Sequence, residues 1–243
     1  MDLTTLQLIY VGAAALLVGF TKTSAGGVGI LAVLLMALAI PGKGSPGVLL
    51  PMLIVADIMA VMYYRRSCQW GLLLKLLPLT LVGIAIGFAI LWVLPDYNFE
   101  KIIGGIILAM LALDFTLTER AKKHFRGKAI TRITGVLAGS ASMIANAAGP
   151  VFGVYLLQLG LKKSEFVGTR SWFFLLLNVA KVPFSVSLGL INTETLTINA
   201  FSLPIILVGA YVGYKVLNYI NIRLFGLLIR LAVLIAAVRL IMF

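Results

Sequence analysis

The sequence predicts an all-α fold: a polytopic transmembrane helical bundle built from two inverted-topology repeats. Of its 243 residues, 61% are hydrophobic and only 12% are charged, and the mean hydropathy is +1.09, far above that of soluble domains. Several apolar stretches exceed the roughly 18 residues that cross a bilayer. Two short hydrophobic hairpins also occupy matching places in the two halves, each broken by a tip of polar and small residues.

The two hairpins are the most informative of these features. Their arms are 6–20 and 28–40 in the first hairpin and 133–145 and 151–161 in the second, with tips at 21–27 and 146–150. Paired interruptions of this kind are the best sequence pointer to the binding site of a secondary transporter. Arms of about 15 residues reach about 22 Å, short of a hydrocarbon core of about 30 Å. We therefore expect re-entrant or strongly tilted hairpins, and full crossing stays open.

Six longer spans complete the predicted bundle, at about 48–64, 72–94, 102–117, 168–190, 197–217 and 224–242. The single transmembrane domain, 1–243, then divides into repeat one (about 3–118), a basic cytoplasmic loop (about 118–131) and repeat two (about 132–243). Each repeat has one hairpin and three spans, so the second repeat starts on the opposite side of the membrane from the first. An offset of 120 residues aligns Gly19 with Gly139, and one of 121 aligns Asp57 with Asn178. An inverted repeat is therefore the favoured architecture.

The basic residues predict the orientation. Of the 20 Lys and Arg residues, three lie at membrane depth (Lys22, Lys181 and Arg230), three flank one face and fourteen flank the other. The positive-inside rule makes the basic face cytoplasmic and places both termini outside. The net charge of +12 is thus a topology signal, and we expect no nucleic-acid partner. The fourteen are Arg65, Arg66, Lys75, Arg120, Lys122, Lys123, Arg126, Lys128, Arg132, Lys162, Lys163, Arg170, Lys215 and Arg223.

Helices broken at membrane depth predict an anion site, because backbone amides and the positive end of the helix dipole are exposed there. Small residues can instead allow tight helix packing, and Ser or Thr can merely cap a helix, so both interpretations stay open for the hydroxyls. The candidate binding residues are Thr21, Lys22, Thr23, Ser24, Gly26 and Gly27 in the first tip, Asn146, Ala147 and Gly149 in the second, and Asn178 and Lys181 in the span 168–190.

Asp57 is the one carboxylate predicted at mid-membrane depth. One interpretation is a structural ion pair with Lys22 or Lys181. The other is a coupling role in which Asp57 takes up and releases a proton, since burial and a neighbouring lysine act on its protonation in opposite directions. The sequence does not rank the two.

The sequence contains no pattern typical of an enzyme. HExxH, GxSxG and phosphate-loop motifs are absent, and the single Cys68 excludes an internal disulfide and a thiolate metal site. His124 has no plausible metal partners in the sequence. We therefore expect no catalytic activity, no metal and no cofactor.

Several segments carry a resemblance to a known family: 19–23 (GFTKT), 26–33 (GGVGILAV), 145–150 (ANAAGP) and 165–169 (EFVGT), with Asp57, Asn178 and Lys181. Over nearly its whole length the chain resembles the TauE/SafE sulfite-exporter family of membrane permeases. The resemblance implies transport of small sulfur-containing anions, such as sulfite or sulfoacetate, commonly by export. It also implies the bacterial plasma (inner) membrane as the location.

Together these observations predict a secondary transporter of a small anion, working by alternating access. Lys22 and Lys181 would supply charge, and the tip amides and polar side chains would supply hydrogen bonds. The expected partners are the anion and the lipid bilayer, with protons as a candidate coupling ion. The oligomeric state stays open. The alternatives are a passive anion channel and a membrane assembly factor that holds a partner on its basic face.

Overall fold

The computed structural model describes residues 3–24, 29–64, 67–95, 99–116, 128–216 and Leu234. Over these residues the regular structure consists of nine helices without a strand, so the predicted all-α fold is confirmed. The predicted span 224–242 lies outside the described residues except for Leu234. The helices are α1 (Thr5–Thr23), α2 (Gly29–Ala39), α3 (Gly44–Tyr64), α4 (Trp70–Val93), α5 (Phe99–Thr116), α6 (Lys128–Ala145), α7 (Gly149–Gln158), α8 (Lys163–Ser187) and α9 (Thr193–Val216).

Four of the described helices, α1, α3, α4 and α9, are long and apolar enough to cross a membrane. Helix α3 is the central one, because 67% of its apolar stretch is buried inside the protein, against 28% to 33% for the other three. An integral membrane protein follows from these lengths and compositions.

The two arms of each hairpin differ in length by more than the hydropathy predicts. Each hairpin has a long first arm, of 19 residues in α1 and 18 in α6, and a short second arm, of 11 residues in α2 and 10 in α7. Helix α1 reaches about 28 Å at 1.5 Å per residue, close to the thickness of the hydrocarbon core, whereas α2 reaches about 16 Å. The first arms are longer because Thr21–Thr23 continue α1 and the polar segment 128–132 begins α6.

The helices pack in pairs that join the two halves of the chain: α1 along α9, α4 along α6 and α3 along α8. A Cβ atom at Gly19 would overlap the carbonyl oxygen of Ile206, and one at Gly139 would overlap the carbonyl oxygen of Thr80. These matched contacts fall at the two glycines that the 120-residue offset aligns, and they support an inverted repeat. The inverted repeat itself stays a prediction.

Helices α3 and α8 are antiparallel and touch closely at both ends. A Cβ atom at Gly47 would overlap the carbonyl of Leu190, and one at Gly168 would crowd the carbonyl oxygen of Tyr64. With both ends in contact, the middle of α3 lies against the middle of α8, where Asp57 meets Asn178.

The single cysteine allows the predicted orientation to be measured. Cys68 is half-buried between α3 and α4, on the face predicted to be cytoplasmic. Burial raises the pKa of its thiol, against the opposing effect of a hydrogen bond with Thr169. Because maleimides react with the thiolate, labelling should be slow at neutral pH and become faster as the pH rises.

In spheroplasts we expect a membrane-impermeant maleimide to label Cys68 only after permeabilisation. Thr193→Cys in a Cys68→Ser background is the matched control, because Thr193 is exposed at the start of α9 on the opposite face. That variant should react in sealed spheroplasts. Equal labelling of Cys68 before and after permeabilisation would reverse the predicted orientation.

Candidate functional site

A cavity of about 240 Å³ lies between the two hairpins and the central helices. Its wall takes in the last turn of α1, the first turns of α2 and α7, and parts of α3 and α6. Helix α8 contributes a row of four side chains at four-residue spacing, which places them on one helix face. They are Phe166, Arg170, Phe174 and Asn178.

Both short arms begin at this cavity. Gly29 opens α2 and Gly149 opens α7, and both residues border the cavity. Pro150 follows at the start of α7, where its missing N–H removes no helical hydrogen bond. The wall therefore contains the first turns of two helices, where N–H groups without a partner in their own helix and the positive end of the helix dipole favour an anion.

Lys22 and Asp57 form an ion pair beside the cavity. The Lys22 ammonium lies 2.7 Å from Asp57 Oδ1 and 4.2 Å from the centre of the Phe174 ring. Asp57 is fully buried, and its Oδ2 accepts a 2.6 Å hydrogen bond from Asn178 Nδ2. Asp57 therefore joins α1, α3 and α8, and its ion-pair partner is Lys22 rather than Lys181.

The Lys181 ammonium is satisfied within the protein. It donates to the Ser142 carbonyl at 3.0 Å, to Ser142 Oγ at 2.9 Å and to Asn146 Oδ1 at 2.5 Å. An ammonium has three N–H donors, so these three bonds use all of them. Lys181 is 1% exposed and is not among the residues that line the cavity, whereas Ser142 and Asn146 are.

Asn146 forms the turn of the second tip. Its φ of 52° lies in the left-handed region, which asparagine tolerates better than most residues. Its Nδ2 donates to the Pro46 carbonyl at the start of α3, 3.1 Å away, while its Oδ1 accepts from Lys181. The tip is therefore held from both α3 and α8.

The structure brings six of the predicted binding residues to the cavity wall, while Thr23, Ser24 and Lys181 are not part of that wall. The hydroxyl of Thr23 donates to the Ala210 carbonyl in α9, and Ser24 caps α1 through its N–H to the Phe20 carbonyl. For these two residues the structure shows packing and capping. Gly26 and Gly27 lie outside the described residues. The six in the wall are Thr21, Lys22, Asn146, Ala147, Gly149 and Asn178.

Arg170 lines the cavity, although its sequence position did not make it a candidate binding residue. Counting basic residues assigns it to the cytoplasmic flank, but it lines the cavity and donates from Nη2 to the Thr21 carbonyl at 3.2 Å. Its four-residue spacing from Phe174 was the available signal, since Asn178 follows at the same interval.

The family model described as Sulfite exporter TauE/SafE matches residues 11–240, which include the second hairpin, α3, α8 and all of the first hairpin except the start of α1. Neither the curated proteins nor the solved structures contain a match to the chain. Because the family match covers nearly the whole sequence, the chain belongs to the TauE/SafE sulfite exporter family.

Proposed function

We propose that this protein is a secondary transporter that exports a small anion, a sulfur oxyanion or organosulfonate such as sulfite or sulfoacetate, across the bacterial plasma membrane. Family membership supports the class of substrate. The observation that carries the proposal is the composition of one cavity wall: Lys22, Arg170 and the N-termini of both short hairpin arms border the same space.

Charge is the first argument for an anion. Lys22 and Arg170 line the cavity, whereas Asp57 is not among the lining residues. At about 4 Å and an effective dielectric constant of about 20, one unit of opposite charge contributes about 4 kcal/mol, and Lys22 supplies its full charge once the anion replaces Asp57 beside it. The two helix N-termini add partial positive charge in the same direction. Each of these positive charges would repel a cation.

Size and hydrogen bonding are the second argument. The cavity of about 240 Å³ is smaller than the roughly 300–1,000 Å³ typical of sites for drug-sized ligands. Asn146, Asn178 and Thr21 place polar side chains in its wall. A small oxyanion with a few waters, each with a liquid volume of about 30 Å³, matches this space.

Alternating access would follow from movement of one hairpin and its neighbours against the other repeat. Lys22 would then exchange partners between Asp57 and the anion. Its contact with Asp57 is short, 2.7 Å between Nζ and Oδ1, and joins two opposite charges. Protons are the coupling ion in this proposal, taken up by Asp57 when the anion replaces it on Lys22.

The test is uptake by the purified chain in liposomes, with a panel of radiolabelled anions and with or without a proton gradient. We expect saturable uptake of sulfite or a sulfonate, dependent on the gradient and absent from protein-free liposomes. Uptake that never saturates would indicate the channel alternative instead. Failure to bind or move any anion would refute transport and favour the assembly-factor alternative.

A further inference from the structure

Arg170 stands where the cavity wall from α8 approaches the end of α1. Phe174 lies one turn further along the same row of α8. The Lys22 ammonium lies over its ring, with Nζ 4.2 Å from the ring centre. Two cationic side chains from different helices therefore border one space, and they differ in chemistry. The Lys22 ammonium is a compact point charge, while the Arg170 guanidinium is a planar fork of N–H donors.

The guanidinium is held in place by the backbone of the first tip. Its Nη2 donates to the Thr21 carbonyl, 3.2 Å away. This carbonyl belongs to the last turn of α1, where carbonyl groups lack partners within their own helix. The bond places one end of the guanidinium next to the peptide between Thr21 and Lys22, at the cavity wall.

We propose that Arg170 determines specificity, by selecting an anion with two or more oxygens on one centre over a spherical halide of the same charge. The inference rests on the proposed function and names the residue that discriminates within it. A guanidinium makes two parallel N–H···O bonds to a carboxylate-like pair of oxygens, and such pairs are stronger and more directional than a single charge contact. A halide offers no such pair of oxygens.

The two cations then have separate roles. Lys22 attracts any small anion, because a point charge has no directional requirement. Arg170 adds binding energy only when the oxygens match the spacing of its fork. Sulfite and sulfonates share a sulfur centre with three oxygens. Arg170 can therefore bind both substrate types, whatever other group is bonded to the sulfur.

Arg170→Lys tests this role, because it keeps the positive charge and removes the fork. Methanesulfonate and bromide are suitable competitors, since both are small monoanions and only the first has oxygens. We expect the ratio of their inhibition constants against labelled substrate to shift by about tenfold or more against methanesulfonate, because the charge-assisted hydrogen bonds of the fork are lost. The inhibition constant for bromide should change by less than about twofold, because the charge is kept.

Arg132→Lys is the matched control, since Arg132 is exposed on α6 and does not line the cavity. It should leave the ratio unchanged. If Arg170→Lys does not fold, Arg170→Gln takes its place in the test. The glutamine amide can still donate toward the Thr21 carbonyl, and we expect the same shift in the ratio of the two inhibition constants.

A purely structural Arg170 would weaken the protein or its transport of every anion equally, and an unchanged ratio would overturn the inference alone. Wild-type protein that takes up anions but does not distinguish methanesulfonate from bromide would also overturn it. Wild-type protein that binds no oxyanion would overturn the proposed function together with the inference.

Discussion

Asp57→Asn is expected to lower net proton-driven transport by at least about 100-fold, while exchange of labelled for unlabelled substrate falls much less. Exchange bypasses the return of the substrate-free carrier, and that return is the step that requires Asp57 in the proposed cycle. Losing one partner of a buried ion pair costs about 3–5 kcal/mol, and each 1.36 kcal/mol corresponds to a tenfold change in rate.

The geometry explains why asparagine is a poor substitute. Lys22 and Asn178 both present donors to the Asp57 carboxylate, one to each oxygen. An asparagine side chain has one acceptor oxygen and one NH₂ group, so one of these donors would face another donor. The Lys22 ammonium would also lose its counter-charge whenever the anion leaves.

Paired liposome assays measure both quantities on the same preparation: net uptake under a proton gradient, and exchange at equal substrate concentrations. Glu194→Gln is the matched control, because Glu194 is exposed at the start of α9. It should behave like the wild type in both assays. If Asp57→Asn keeps the wild-type net rate and pH dependence, coupling does not depend on Asp57.

The sequence predicted the fold class well, because it depends on patterns along the chain, and it named Lys22 as one of two candidate ion-pair partners of Asp57. Apolar residues place helices in a bilayer, and the described helices coincide with the apolar stretches of the sequence. The offset of 121 residues aligned Asp57 with Asn178, and the two side chains are hydrogen bonded. The arm lengths were wrong because helix ends follow backbone hydrogen bonds, which continue through Lys22 at the end of α1 despite its polarity.

The remaining site features depend on packing between elements distant in the sequence. Arg170 lies near the start of a span, but its depth is set by its contact with the end of α1, 149 residues away. Lys181 is buried in the protein, but its three acceptors come from residues 35 and 39 positions earlier. No local pattern specifies either pairing.

Lys181→Met is expected to weaken anion binding by about 10-fold to 100-fold, the effect of losing hydrogen bonds to a charged group worth about 1.5–3 kcal/mol. The protein should still fold and insert, because methionine is unbranched and apolar, has a length similar to that of lysine and can remain buried in the membrane interior. Because Lys181 holds Asn146 from behind the cavity wall, the affinities for methanesulfonate and bromide should fall by the same factor.

A double-mutant cycle with Asn146→Ala separates this positioning role from direct contact with the anion. If Lys181 acts through Asn146, each single variant should weaken binding and the double variant should be little worse than either. Lys75→Met is the matched control, since Lys75 is exposed on α4 and should bind like the wild type. Additive losses would mean that Lys181 reaches the anion itself. Unchanged affinity in Lys181→Met would mean that the hydrogen bonds of Lys181 connect α8 to α6 but do not influence anion binding.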